Sequence, residues 1–267
     1  MINNFQNIQK DPANRAFLFG DGVWISFYVR NNELILAEEC YFYLMASMRK
    51  LRMNIPQSYT LEFFKQLFQE QVIDKGVSNG IIRFFAYRGN NGQNLSKNEV
   101  EYYFETEETA DVLANAKDYE IDLIKEINVN TNLLSNIHVH SPENIYAGIY
   151  AFENDLDDVI LLNPNKRIAR TSQGNILLLT DNTLRIPKHT EGAYISPLLE
   201  AFVTFLDKKG LALIEEAEVI AFETQKADEV LLISETHGIH IVTKIRNKEF
   251  TKTKFTALLE AWQNSFS

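Results

Sequence analysis

The stretch from Asn136 to Ala151 constrains this chain most. It reads Asn-Ile-His-Val-His-Ser-Pro-Glu-Asn-Ile-Tyr-Ala-Gly-Ile-Tyr-Ala. Ile137 and Val139 alternate with His138 and His140, the period of a short extended segment. Ser141-Pro142-Glu143 then opens a helix. Serine is a good cap, proline is tolerated in the first turn, and glutamate suits the positive helix end. One αβ unit precedes this stretch and a second follows it. A polar strand end running into a helix mouth between two halves is a common place for a ligand.

The flanking pattern sets the fold class. Residues 23–30 alternate and are rich in aromatics, Asn31-Asn32 is a tight turn, and 33–36 is the return strand. Tyr41, Leu44, Met45, Met48 and Leu51 fall at helical spacing over 38–52, and 61–75 repeats that period. Strands follow at 80–87, 99–105 and 119–125, with a turn at 89–92. Beyond a polar connection at 128–135 come a helix at 143–154 and short strands at 159–162, 176–180 and 183–186. A helix at 194–209 is ended by Gly210. Strands at 211–219, 229–233 and 239–245 and a closing helix at 251–267 complete the chain. The economical reading is α+β, two αβ halves (1–127 and 136–267, joined by 128–135) with mostly antiparallel sheets.

Composition excludes several functions. A net charge of −10 argues against nucleic acid, whose phosphates need a basic face. Apolar runs such as 160–162 and 176–179 are too short to cross a bilayer. Residues 1–10 lack the apolar core of a signal peptide. The single cysteine, Cys40, excludes an internal disulfide and reads as a small packed residue. Together these features lead to the expectation of a cytoplasmic protein that binds neither nucleic acid nor membrane.

Several strings carry more than pattern. Phe19-Gly20-Asp21-Gly22-Val23-Trp24 leads through the hairpin to Leu36-Ala37-Glu38-Glu39. Arg83-Phe84-Phe85-Ala86-Tyr87-Arg88-Gly89 follows, then Asn175-Ile176 with Thr183-Leu184-Arg185-Ile186-Pro187, and then the run from Ala227 to Ile239. In that order they resemble the class IV aminotransferases, the fold-type IV pyridoxal-phosphate enzymes. That group includes branched-chain and D-amino acid aminotransferases and aminodeoxychorismate lyase. The resemblance covers roughly residues 16–250. It implies a smaller N-terminal αβ domain, a larger C-terminal domain, a cofactor cleft between them and a homodimer.

The resemblance also implies a set of cofactor contacts, and this sequence departs from it at all but one. The family lysine lies three residues before an asparagine, and counting back from Asn144 reaches Ser141, beside His140 and Pro142. Neither a hydroxyl nor an imidazole forms an imine, and the nearest lysines, Lys125 and Lys166, fall in other elements. The family glutamate facing the pyridine nitrogen corresponds to Arg170, which inverts the charge. The family phosphate arginine corresponds to Tyr43, a neutral hydroxyl. A Gly-Ile-Thr helix start that donates N–H groups to the phosphate corresponds to Ser196-Pro197-Leu198, and Pro197 has no N–H. Thr236 retains one hydroxyl donor.

Each residue has a plainer reading. Ser141 with Pro142 is a helix cap. His138 and His140 are strand-edge or interface residues rather than a metal pair. Arg170 is a salt bridge or a solvated turn, or else an anion anchor. Tyr41, Phe42 and Tyr43 are packing. The expectation is a class IV scaffold with a degenerate pyridoxal-phosphate site: no cofactor, no metal, no transaminase chemistry, and a small anionic ligand or a protein partner instead. The alternative is an active pyridoxal-phosphate aminotransferase or 4-amino-4-deoxychorismate lyase-like enzyme.

Overall fold

The computed structural model describes residues 2–3, 15–89 and 97–266. Most of the turn expected at 89–92 lies outside them. The chain divides into two compact units. One comprises Met1–Val112 with Ile137–His140, and the other Leu113–Asn136 with Ser141–Ser267.

In the first unit, strands β1 (Ile2–Asn3), β2 (Gly22–Arg30), β3 (Glu33–Ile35), β4 (Gly80–Arg88) and β5 (Val100–Glu108) form an antiparallel sheet in the order β1-β5-β4-β2-β3. Asn31 and Asn32 both have positive φ, the geometry a two-residue hairpin turn demands. Helices α1 (Arg15–Phe19), α2 (Ala37–Lys50) and α3 (Leu61–Gln71) complete the unit. The Thr60 hydroxyl caps α3 by accepting from Phe63 N. Phe27, Phe64, Phe68, Phe84 and Phe104 form an aromatic core, with centroids 4.7 Å apart for Phe27–Phe68 and 5.2 Å for Phe64–Phe84. Such tilted and edge-on pairs add about 0.5–1.5 kcal/mol each beyond burial. Cys40 is fully buried in α2.

The Gly-Asp-Gly and Arg-Gly strings have a structural reason. Asp21 Oδ2 sits 2.8 Å from Arg15 Nε and 3.1 Å from Arg88 Nε. Arg88 also donates to the carbonyls of Leu51 and Arg52, and so ties the end of α2 to the end of β4. The expected strand at 138–140 is a single antiparallel bridge, Val139 to Val23, with Trp24 N donating to the His138 carbonyl.

The second unit holds a nine-stranded mixed sheet. Its strands are β6 (Tyr119–Asn128), β7 (Asp158–Leu162), β8 (Ile168–Thr171), β9 (Asn175–Thr180), β10 (Thr183–Pro187), β11 (Leu213–Ala217), β12 (Glu229–Ser234), β13 (Gly238–Ile245) and β14 (Lys248–Glu249). The order is β11-β10-β9-β12-β13-β6-β7-β8, with β14 on β13. The division therefore falls at Val112 rather than at 128–135. Strand β6 lies between β13 and β7, parallel to both, and pairs with strands more than thirty residues away in sequence. Parallel neighbours leave no hairpin signal for sequence reading to find. Strand β8 was not anticipated. All four of its residues are buried, so it shows no alternation.

Helices α4 (Pro142–Glu153), α5 (Pro197–Lys209) and α6 (Thr253–Asn264) complete this unit. Phe202 and Trp262 join α5 to α6 at 5.0 Å. Helix α4 buries its small side, Ala147 and Ala151, with Val159 and Leu161 of β7. Ile145, Tyr146, Ile149 and Phe152 face outward. Helix α5 begins at Pro197, three residues later than expected, because Asn175 claims the backbone of Tyr194 before the helix starts. Among the described residues no helix is long and apolar enough to cross a membrane.

Arg88→Ala strands two carbonyls and part of Asp21. We expect about 3 kcal/mol of lost stability, read as a lower urea midpoint with an unchanged slope.

Candidate functional site

The residues singled out around 141 and 170 meet within the second unit. Ser141 caps α4: its hydroxyl accepts from Asn144 N at 3.3 Å and donates toward Glu143 at 3.0 Å. The plainer reading of this serine therefore accounts for its bonds.

Asn144 is the junction. Its amide nitrogen donates to the Ser172 carbonyl at 2.7 Å and to the Tyr194 hydroxyl at 2.8 Å. Its amide oxygen accepts from Arg170 NH2 at 3.1 Å. Helix α4, the turn after β8 and the segment before α5 are thus held by one side chain.

Arg170 projects from β8 and is 4% exposed. Its NH1 donates to the Gly192 carbonyl at 2.8 Å, and its guanidinium lies 4.2 Å from the Tyr194 ring centroid. Gly192 has φ +102°, a conformation most side chains resist. Arg170 Nε is buried without a hydrogen-bond partner. Among the described residues Arg170 forms no salt bridge, and both its NH bonds end on neutral oxygens.

The turn that follows Arg170 is set from beneath by Asp158. This carboxylate is fully buried and accepts from Ser172 N, Ser172 Oγ, Gln173 N and Val159 N. Burial outweighs these donors and pushes the Asp158 carboxyl up to about 6. Tyr119, whose hydroxyl donates to Gln173, is also raised, by burial and then by Asp158. Gly174 is required by close approach: a Cβ there would stand 2.2 Å from the Ile233 carbonyl oxygen. Asn175 and the Tyr194 backbone exchange two hydrogen bonds, at 2.9 and 3.0 Å.

A second group lies at the start of α5. Ser196 caps the helix by accepting from Leu199 N at 3.1 Å and donates to the Glu235 carboxylate. Both residues are about 1% exposed. Thr236 follows in the turn after β12, where its hydroxyl lies 3.2 Å from Ser234 Oγ, which itself donates to the Gln173 carbonyl.

The other two candidates belong to the first unit. Tyr43 is buried within α2, in keeping with its packing role. His140 packs over Gly20, and His138 stacks on Trp24 at 3.9 Å. Among the described residues no three His, Cys, Asp or Glu side chains gather as a metal site. Sequence reading missed Asn144 as a participant, together with Asp158, Tyr194 and Glu235. The first two carried a signal: Asn144 sits at the third helical position after a serine cap, and Asp158 stands at the start of a wholly apolar run.

Solved structures share this arrangement of an antiparallel first sheet and a larger mixed second sheet. A putative 4-amino-4-deoxychorismate lyase from Legionella pneumophila matches with TM-score 0.84 at 18% identity, covering 96% of this chain and 95% of that one. A branched-chain aminotransferase from Thermoproteus uzoniensis, solved with norvaline, gives 0.84 at 16%, covering 94% and 87%. The branched-chain aminotransferase of Thermobaculum terrenum in its pyridoxal-phosphate form gives 0.83 at 18%, covering 96% and 88%. At these identities the likeness is one of fold. The family model described as amino-transferase class IV matches residues 26–245, and the chain belongs to that family.

The Asp158 carboxyl yields a pH prediction. Its folded pKa lies above the unfolded value near ~4, so folding favours the protonated form. That contribution is complete below about pH 4 and is lost as pH rises through about 6. Asp158→Asn removes the ionisation. The stability of wild type relative to this variant should fall by about 3 kcal/mol between pH 4 and 7, measured by urea unfolding at each pH. A flat difference would show that the carboxylate is ionised throughout.

Proposed function

We propose that this protein uses the class IV aminotransferase scaffold to bind a small organic anion at Arg170, without pyridoxal-phosphate chemistry. One observation carries the reading. The Arg170 guanidinium is buried, its NH bonds go to neutral acceptors, and no carboxylate of the described residues neutralises it. A buried cation without a counterion is costly. A ligand carboxylate would supply the missing charge and engage the planar fork.

The residues present fit pyridoxal phosphate poorly. Residues 126–165 contain no lysine, and Ser141 spends its hydroxyl on capping α4. A guanidinium stands at the position that corresponds to the carboxylate facing the pyridine nitrogen, and it opposes the protonated ring. Tyr43, buried in α2, replaces a cation at the position corresponding to the phosphate arginine.

The relatives are typically dimers, and the outward apolar row on α4 (Ile145, Tyr146, Ile149, Phe152) supports assembly with a second copy. A single-chain mass by light scattering at micromolar concentration would remove that element of the reading.

Two measurements test the function. Wild-type protein mixed with pyridoxal phosphate should develop no imine band near ~420 nm and carry no label after borohydride. A band fixed onto a lysine would instead establish the alternative, an active aminotransferase or lyase. Acetate, succinate and 2-oxoglutarate should raise the melting temperature of wild type, and Arg170→Gln should weaken the best of them by about tenfold or more. An unchanged rise in the variant would remove Arg170 from the role.

A further inference from the structure

The first turn of a helix attracts anions, because its N–H groups lack partners and its dipole is positive there. Helix α5 is thirteen residues long and would offer such an end. Its chemistry has been rearranged in three ways. Pro197 at the first helical position has no N–H to donate. The Ser196 hydroxyl accepts from Leu199 N, and its single proton goes to Glu235. The Glu235 side chain, about 1% exposed, brings a carboxylate to that hydroxyl. The helix end that by resemblance would receive a cofactor phosphate therefore already faces an anion from the protein's own turn after β12.

We propose that Glu235 is a built-in anion that occupies the N-terminal end of α5 and so excludes external phosphate groups, including that of pyridoxal phosphate. The carboxylate gains the positive helix end and the serine proton. A phosphate dianion placed beside it would meet like charge in a buried setting, where repulsion is least screened. Glu235 thereby discriminates against phosphorylated ligands, while a carboxylate at Arg170 is bound through a different side chain. The inference deepens the reading that the chain does not use pyridoxal phosphate. The two fail separately: an imine on wild type reports a lysine, whereas inorganic phosphate reports this helix end alone.

The test titrates inorganic phosphate into the full chain at constant ionic strength, with chloride as the control anion, and reads binding by calorimetry and by melting temperature. The proteins are wild type, Glu235→Ala and Glu235→Gln. The glutamine variant keeps the volume of the side chain and removes its charge, so the comparison survives if the alanine variant does not fold. Phosphate should bind either variant about tenfold or more tighter than wild type. Adding Ser196→Ala should abolish the gain, and adding Arg170→Gln should leave it intact. Equal phosphate affinity in wild type and in the folded variants would overturn the proposal. A gain that persists without the Ser196 hydroxyl, or that disappears with Arg170, would overturn it as well.

Discussion

The arrangement around Arg170 depends on the side-chain amide of Asn144. An amide offers two donor hydrogens and one acceptor oxygen. Here the donors go to the Ser172 carbonyl and the Tyr194 hydroxyl, and the oxygen accepts from Arg170. The isosteric aspartate has no donors, and leucine has neither function. Three chain segments remote in sequence converge on this one group. Its own position is fixed by the Ser141 cap, since Asn144 N is the donor that the cap satisfies. Ser141, which caps α4, is therefore part of the support for the junction.

Three buried charged side chains in this unit illustrate three ways of managing charge away from water. Asp158 gathers backbone and hydroxyl donors and still has its carboxyl raised by burial, so it holds the 172–173 turn at an electrostatic cost near neutrality. Glu235 meets a hydroxyl at a helix N-terminus, where the dipole favours it. Arg170 has neutral oxygens and an aromatic face, which orient a cation without neutralising it. The last is the one cation of the three, and a ligand carboxylate matches its planar fork, which is why the proposed function centres there.

Much of this fold was legible because it rests on local rules. The Asn31-Asn32 hairpin, the Ser141 cap and the Gly210 terminus are each written within a few residues. What escaped was long-range. Strand β6 reads from sequence as part of the first half, whereas its partners are parallel strands far along the chain. Strand β8 is buried at every residue and so carries no alternation. The start of α5 depends on a side chain well before it in sequence, Asn175. In the site, the residue types at 141, 170 and 196 were readable by counting. Their partners were not, because Glu235 and Tyr194 reach them only through tertiary structure.

The family strings themselves divide by physical role. Asp21 and Arg88 join two ends of the first sheet and helix layer. Gly174 admits the Ile233 carbonyl, and Asn175 pairs with the Tyr194 backbone. The contacts of these residues within the chain maintain backbone geometry. The positions that the resemblance implies for cofactor contacts carry a different set: a capping serine, a guanidinium stacked on tyrosine, and a proline beside a serine that donates to a carboxylate. The two serines are bonded to the protein's own groups, whereas Arg170 keeps a buried Nε without a hydrogen-bond partner and no salt bridge among the described residues. Among the described residues, Arg170 is a buried cation whose hydrogen bonds end on neutral oxygens. In the proposed reading, that cation would select ligands by charge and by the planar shape of a carboxylate, with no covalent bond to the protein.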